Sequence, residues 1–259
     1  MITSASNNRI KELSSLLEKS KERSRAGVYV IEGPRMYEEA PVFDLREVYV
    51  SESFASKEKN RELLEKHDYE VVADPVFKKL SATQNPQGIL AVMAQPVYTL
   101  NEVLAGEAPL LLILEDLQDP GNLGTMIRAG EGAGLSGVIL SKGCVDIYNP
   151  KVIRATMGSI FRIPFVYTED LAETIRQVKE AGVKTYAAHL KGTAAYETFT
   201  FTEKSAFLIG NEGNGLTDEI ANLADSYLKI PMLGKVESLN ASVAASVLLY
   251  EAARQRRSV

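Results

Sequence analysis

The chain has 259 residues, a formal net charge of −5 and 45% apolar residues, a composition typical of one or two globular domains. This composition excludes a disordered, collagenous or low-complexity protein. A single cysteine, Cys144, excludes a disulfide framework and a cysteine-cluster metal site, and two histidines are too few for histidine-rich metal chemistry. No apolar run reaches the ~18 residues of a membrane span, and the first residues lack a signal-peptide core. We therefore expect a cytoplasmic protein that contacts no membrane and binds no metal.

Residues 1–97 alternate predicted helices and strands. Residues 3–25 favour a short amphipathic helix through Leu13, Leu16 and Leu17. Strands are predicted in order at VYVI, REVYVSES, YEVVAD and QGILAVM, and helices after Pro34, at KEKNRELLEKHD and at ADPVFKKLSATQNP. This alternation predicts a small α/β domain. Residues 98–108, with a short helix at TLNEVLAG, predict a linker.

Residues 109–259 predict a second domain in which strands alternate with helices. The strands are LLLILED, SGVILSKG, TYAAHL, AFLIGNE and YLKIPM, and the helices include GTMIRAGEGAG, NPKVIRATMGSIF, DLAETIRQVKEAG and a last helix over 241–256. Continuous apolar runs are typical of strands buried on both faces. The pattern predicts an open, parallel α/β sheet, and ligands bind such sheets beyond the carboxyl ends of the strands.

Polar residues follow the first of these strands, in EDLQDPGNLGTMIRAGEGAG. We predict that Asn122 caps the helix and that Arg128, nearly two turns further on, points back toward the loop. A capped helix with a solvated arginine explains the same residues. The dinucleotide fingerprint G-x-G-x-x-G is absent here, which argues against a nicotinamide dehydrogenase.

Two further loops end strands of the same predicted sheet. In FLIGNEGNGLTDE, Glu212 has no evident structural task and Thr217 caps a helix, although an ordinary strand–turn–helix corner has a similar composition. In KIPMLGKVESLNASVAASVLLYE, Ser238 or Asn240 is the predicted N-cap, and the small residues that follow predict helix–helix contact within the chain or across a dimer. The three loops bring these polar residues to strand ends of one sheet: Asn122, Arg128, Asn211, Glu212, Ser238 and Asn240.

The stretches DPGNLGTMIRAGEGAG, LIGNEGNGL and IPMLGKVESLNASVAASVLLYE resemble, in this order, the SpoU/TrmH family of RNA 2'-O-ribose methyltransferases. VIEGPRMYEEA resembles the small RNA-binding domain, related to a ribosomal protein, that many members carry. The resemblance implies an α/β fold with a C-terminal trefoil knot, a homodimer formed through the C-terminal domain, and S-adenosylmethionine as the cofactor. A knot is an exception to ordinary chain topology, so no local pattern predicts it.

The resemblance also implies a role for each matching residue. Backbone at Gly210, Ile230 and Leu239, with Asn211, would hold the cofactor, whereas Asn122, Arg128, Glu212, Ser238 and Asn240 match catalytic and structural positions. Arg128 would lie beside the ribose hydroxyl and its phosphate. The family's arginine has been proposed as a general base, but a guanidinium with a pKa above ~12 suits electrostatic stabilisation better.

The function implied is transfer of a methyl group to a ribose 2'-hydroxyl in RNA, with 23S rRNA as the favoured substrate. Two alternatives stay open: a tRNA 2'-O-methyltransferase, and a non-catalytic RNA-binding or assembly factor on the same fold. The sequence does not identify the target nucleotide, because the enzyme recognises it through pocket shape and flanking contacts in the folded RNA.

The charge distribution refines this expectation. A net charge of −5 argues mildly against a nucleic-acid partner. Residues 1–35, however, carry a local excess of three positive charges, and Arg254, Arg256 and Arg257 form a second basic cluster. We therefore expect modest RNA affinity with a shallow salt dependence, and selection of a shaped site.

Overall fold

Strands form where the sequence has runs of aliphatic and β-branched residues. The structure, a computed structural model, describes residues 1–81 and 86–257. The strands of this part are β1 (Val28–Glu32), β2 (Leu45–Ser51), β3 (Glu70–Val72), β4 (Ile89–Ala94), β5 (Leu110–Leu114), β6 (Gly137–Ser141), β7 (Phe165–Thr168), β8 (Lys184–Ala188), β9 (Ala194–Ala195), β10 (Ser205–Ile209) and β11 (Ser226–Lys229).

Most helices begin at a polar N-cap or at a proline in the first turn. The helices are α1 (Asn8–Glu18), α2 (Ser20–Ala26), α3 (Pro34–Glu39), α4 (Glu52–Ala55), α5 (Arg61–Leu64), α6 (Asp74–Leu80), α7 (Leu100–Val103), α8 (Pro120–Gly132), α9 (Pro150–Thr156), α10 (Leu171–Glu180), α11 (Asp218–Ala221) and α12 (Ala241–Arg256). Among the described residues, no helix combines the length and the apolar character that crossing a membrane requires.

The described chain divides into two compact units. The first contains Met1–Val97 together with Asp146–Phe161, and the second contains Tyr98–Val145 and the chain from Arg162 onward. The first unit has a four-stranded sheet in the order β1-β4-β2-β3, in which only β2 and β3 run parallel. Leu13, Tyr49, Phe77 and Leu90 are almost fully buried in the core beneath it.

Residues 146–161 belong to the first unit through specific side-chain contacts. The Nε and Nη2 atoms of Arg23, a residue only 3% exposed, donate to Asp146 Oδ2 at 3.0 and 2.5 Å. The rings of Tyr29 and Tyr148 stack with their centroids 4.5 Å apart. Arg23 is therefore not available to RNA, contrary to its inclusion in the basic cluster of residues 1–35.

The second unit has a seven-stranded sheet in the order β7-β6-β5-β10-β8-β11-β9, and all six pairings are parallel. Every residue of β5, β6 and β10 is buried, as the continuous apolar runs predict. The predicted α/β fold with a parallel sheet is confirmed. The sequence prediction missed β7 and β9, the two edge strands, which are only four and two residues long.

The small residues of α12 allow a close helix–helix contact within the chain. α12 packs on α8, with Ser242 and Ala245 buried, and a side chain at Gly132 would approach the Tyr250 hydroxyl to 2.9 Å. This confirms the intrachain alternative for these residues. The trefoil knot stays a prediction from the resemblance.

Several local predictions need correction. Residues 3–25 form two helices rather than one, because the chain becomes extended at Lys19. The helix predicted at KEKNRELLEKHD is a 3-10 turn and a single turn at α5. The helix predicted through ADPVFKKLSATQNP ends at Leu80, and residues 82–85 of that prediction lie outside the described residues.

The C-terminal basic cluster is also largely engaged within the protein. The guanidinium of Arg256 donates to the carbonyl oxygens of Ala108, Phe201 and Glu203 at 2.7–2.8 Å. Arg254 forms an ion pair with Glu251. These two arginines therefore make contacts that stabilise the last helix and do not form a free basic surface.

Candidate active site

Glu212 connects the loop after β10 to the start of α8. Its Oε2 accepts from Gln118 N at 3.0 Å, and its Oε1 accepts from Asp119 N at 2.8 Å and from Asn122 Nδ2 at 3.0 Å. Burial by itself would raise the pKa of Glu212, but these hydrogen bonds to the carboxylate outweigh it and lower the pKa. Glu212 therefore has a structural task that the sequence does not reveal, and it fastens the loop as a charged group.

The side chain of Asn122 also contacts the start of the last helix, α12. Its Oδ1 accepts from Asn240 Nδ2 at 3.0 Å. Asn240 Oδ1 in turn accepts from the backbone N of Ser242 at 2.9 Å and of Val243 at 3.3 Å, so Asn240 is the N-cap of α12. Three residues predicted from separate loops thus form one hydrogen-bonded chain.

The prediction that Asn122 caps α8 is wrong. Pro120 occupies the first turn and Asp119 is the N-cap, with Asp119 Oδ1 accepting from Asn122 N at 2.8 Å. The proline starts the helix two residues before Asn122 and leaves the Asn122 side chain free to bridge Glu212 and Asn240.

The loop between β10 and α11 is closed on itself. Asn211 and Gly215 exchange backbone hydrogen bonds of 3.1 and 2.9 Å, and Asn211 Oδ1 accepts from Gly213 N at 2.9 Å. A Cβ at Gly210 would lie 2.1 Å from backbone atoms of Gly215 and Leu216, which only glycine avoids. Gly210 therefore allows the tight closure of this loop, and Gly215 takes the positive φ of 70° at its other end.

A cavity of about 610 Å³ opens beside this loop, at the carboxyl ends of β8, β10 and β11. The cavity is lined by all four residues predicted to bind the cofactor, Gly210, Asn211, Ile230 and Leu239. Glu212 and Ser238 also line it. The volume is that of a pocket for a small organic ligand. Its lining combines the backbone of the loop 210–216 with apolar side chains such as Ile209, Leu228 and Ile230.

The sequence prediction missed one wall of the cavity. His189 and Lys191 line it from the loop after β8, and Lys191 Nζ lies 2.5 Å from Asp218 Oδ1, also on the lining. Their position at the carboxyl end of the predicted strand TYAAHL was the available signal, because carboxyl ends of parallel strands share one sheet edge.

Arg128 lies outside the cavity lining. It is exposed on α8, and it has no hydrogen bond or ion pair with any residue that the structure describes. Among the described residues Arg128 forms no ion pair with Glu212, whose carboxylate is occupied by Asn122 and two backbone amides. Ser238 is exposed at the cavity.

The fold and the site define an α/β protein that binds a ligand at the carboxyl edge of a parallel sheet. The model of the SpoU rRNA Methylase family matches residues 109–250, and that of the MRM3-like substrate binding domain matches residues 7–91. The chain belongs to the SpoU rRNA Methylase family.

Relatives and solved structures match nearly the whole chain. The 23S rRNA (guanosine(2553)-2'-O)-methyltransferase RlmP of Bacillus subtilis is 36% identical over 252 residues, covering 96% of this chain and 97% of that protein. The SpoU methyltransferase AviRb of Streptomyces viridochromogenes in complex with AdoMet has a TM-score of 0.88 at 30% identity, covering 97% and 99%. An AdoMet-bound rRNA methyltransferase of Sinorhizobium meliloti has a TM-score of 0.86 at 30% identity, covering 98% and 97%. The predicted family, its enzyme class and S-adenosylmethionine as its cofactor are confirmed.

Proposed function

We propose that this chain transfers the methyl group of S-adenosylmethionine to the 2'-hydroxyl of a guanosine in 23S rRNA, the nucleotide that corresponds to the target in the name of the Bacillus subtilis relative. The observation that carries the proposal is the chain Glu212–Asn122–Asn240. It joins the loop that lines the cavity to α8, which carries an arginine unpaired among the described residues.

Each site residue has a separate role in the proposed reaction. The sulfonium of the bound cofactor makes its methyl group electrophilic, so the protein has to place the ribose hydroxyl in line and manage its proton. Arg128 would clamp the adjacent phosphate and stabilise negative charge that develops on the hydroxyl oxygen, while the hydroxyl proton leaves late or by way of water. Asn122 and Glu212 would hold α8, and with it Arg128, at a fixed position relative to the cavity loop.

The cofactor contacts are part of the same proposal. Backbone at Gly210, Ile230 and Leu239, with Asn211, would hold S-adenosylmethionine, and Ser238 at the cavity would orient the target nucleotide. The transfer needs no metal ion, because the sulfonium is already an effective leaving group. Activity in the presence of a chelator, on a minimal RNA that folds without Mg²⁺, tests this point.

The domain division is proposed as 1–97 for RNA binding, 98–108 as a linker and 109–259 for methyl transfer, although residues 98–108 pack within the second unit and residues 146–161 within the first. The matches of the two family models to residues 7–91 and 109–250 support it. We also propose a cytoplasmic homodimer formed through the C-terminal domain. Val243 and Tyr250 on α12, each nearly half exposed, support such an interface, and light scattering of the purified protein tests it.

Mapping 2'-O-methyl sites in 23S rRNA and tRNA, from cells with and without the protein, tests the function. We expect one guanosine of 23S rRNA to lose its methyl group when the protein is absent. A lost site in tRNA would establish the tRNA alternative. No lost site, together with no methyl transfer by the purified protein, would favour an RNA-binding or assembly factor.

A further inference from the structure

Glu115 is a buried carboxylate at the end of β5 that the proposed mechanism does not use. It is only 8% exposed. Its Oε2 accepts from Thr217 N at 2.8 Å and its Oε1 accepts from Thr217 Oγ1 at 2.6 Å. A buried carboxylate is costly unless its oxygens are paired, and Thr217 supplies both donors.

Thr217 closes the far end of the cavity loop. Its hydroxyl donates to Glu115 and accepts from Ile220 N at 3.3 Å, so that it also caps α11. Just before it, the buried Leu216 belongs to the core of the second unit. The pair with Glu115 therefore fixes the point at which the loop 210–216 rejoins the sheet.

The near end of the same loop is fastened to Asp116, the residue that follows Glu115. Asn211 Nδ2 donates to the Asp116 carbonyl oxygen at 2.9 Å, and Glu115 N donates to Ile209 O at 3.0 Å. Two consecutive residues, Glu115 and Asp116, thus hold both ends of a loop that lines the cavity.

From this geometry we infer that Glu115 and Thr217 are positioning residues for cofactor binding: their double hydrogen bond holds the loop 210–216 in the shape that S-adenosylmethionine requires. The inference rests on the proposed placement of the cofactor in the cavity beside this loop. A glutamine at 115 has nearly the same shape, but it is uncharged and its one oxygen can accept from only one of the two Thr217 donors. Its amide N–H can meet the Thr217 hydroxyl only if that hydroxyl turns to accept, so the charge-assisted pair is lost.

The test is the dissociation constant of S-adenosylmethionine, measured by calorimetry on the full chain without RNA. Glu115→Gln and Thr217→Val should each weaken binding about tenfold or more, the effect of losing hydrogen bonds to a charged group. Thr217→Ser keeps the hydroxyl and should bind within about twofold of the original protein, a difference smaller than one hydrogen bond produces. The matched control is Glu219→Gln, which neutralises an exposed carboxylate on α11 outside the cavity lining.

Two further readouts separate positioning from general destabilisation. Amide hydrogen exchange of the cofactor-free variants should rise within 210–217 and stay unchanged in β5, β6 and β10. In steady-state kinetics the KM for S-adenosylmethionine should rise while kcat at saturating cofactor and the KM for RNA stay near their original values. A smaller folded fraction would instead lower kcat and leave the KM unchanged.

The pair acts as a unit, so the double variant should bind S-adenosylmethionine little worse than either single variant. Unchanged affinity in both Glu115→Gln and Thr217→Val would overturn the inference, and so would exchange that rises throughout the second unit. If Glu115→Gln does not fold, Thr217→Val and Thr217→Ser decide the question. If the original protein itself fails to bind S-adenosylmethionine, the proposed function fails instead.

Discussion

Asn122 and Asn240 are 118 residues apart in the chain, and their side-chain amides are joined by a hydrogen bond of 3.0 Å. The first residue lies in the opening turn of α8 and the second caps α12. Because Asn122 also donates to Glu212, this bond completes a connection among three loops that converge at the carboxyl edge of one sheet. The connection leads to four predictions beyond those made for Glu115 and Thr217.

Replacing Asn240 separates its two tasks. Asn240→Ala removes the cap of α12 and should lower the free energy of unfolding by about 1 kcal/mol. Asn240→Asp keeps a good cap but has no donor for Asn122 Oδ1, so it should be more stable than the alanine variant and still lose methyl transfer. Urea denaturation and transfer of labelled methyl groups to rRNA measure both effects. An aspartate variant with full activity would show that the Asn122 contact is dispensable.

Arg128→Ala should abolish methyl transfer and leave the affinity for S-adenosylmethionine nearly unchanged, because Arg128 lies outside the cavity lining. Arg128→Lys keeps the charge without the planar fork and should restore little activity. Arg176→Ala, at an exposed arginine of α10, is the matched control. Near-normal turnover of the lysine variant would argue against a bidentate clamp, and lost cofactor affinity in Arg128→Ala would mean that the residue is misplaced in the proposal.

The lowered pKa of Glu212 makes part of the stability depend on pH. Its pKa is below the ordinary value of 4.5 in the folded protein, so the unfolded chain binds more protons in the acidic range. The stabilisation is complete above pH 4.5 and is lost as the pH falls through the folded pKa. We expect the difference in unfolding free energy between the original protein and Glu212→Gln to be largest near pH 6 and to shrink below pH ~4. Urea denaturation of both proteins across this range measures it, and a difference independent of pH would contradict the assignment.

Gly210→Ala should open the loop between β10 and α11. Its Cβ would lie 2.1 Å from backbone atoms of Gly215 and Leu216, and overpacking of this kind costs about 1–3 kcal/mol. Gly213→Ala is the control for stability, because its Cβ would make only an ordinary 3.5 Å contact with Asn211. Thermal unfolding should show a loss of stability for Gly210→Ala alone. Calorimetry should show that Gly210→Ala also weakens the binding of S-adenosylmethionine. Equal stability of the two variants would refute the steric argument.

Local sequence signals located most of the site elements correctly. Asn149 and Pro150 begin α9, Thr217 caps α11 and Asn240 caps α12, as their residue types predict. The error at the start of α8 has a local cause as well. Asp119 and Asn122 are equally good caps, and the position of Pro120 decides between them.

Other features depended on contacts that no local pattern encodes. The excess of basic residues in 1–35 pointed to RNA, but Arg23 is buried against Asp146. Glu212 had no visible task in the sequence, because its three donors lie about 90 residues earlier in the chain. Similarly, nothing near Glu115 indicates that its partner is Thr217.

The sequence by itself determined the parallel α/β sheet, the caps of α9, α11 and α12 and the resemblance to the family, because hydrophobic periodicity, capping chemistry and short motifs are local properties. Tertiary structure alone decided that residues 146–161 join the first unit, that Asn122 bridges Glu212 and Asn240, and that Arg128 stays outside the cavity. The physical reason is that a hydrogen bond or a buried ion pair depends on distances in space, and only the folded sheet brings residues so far apart in the chain to one edge.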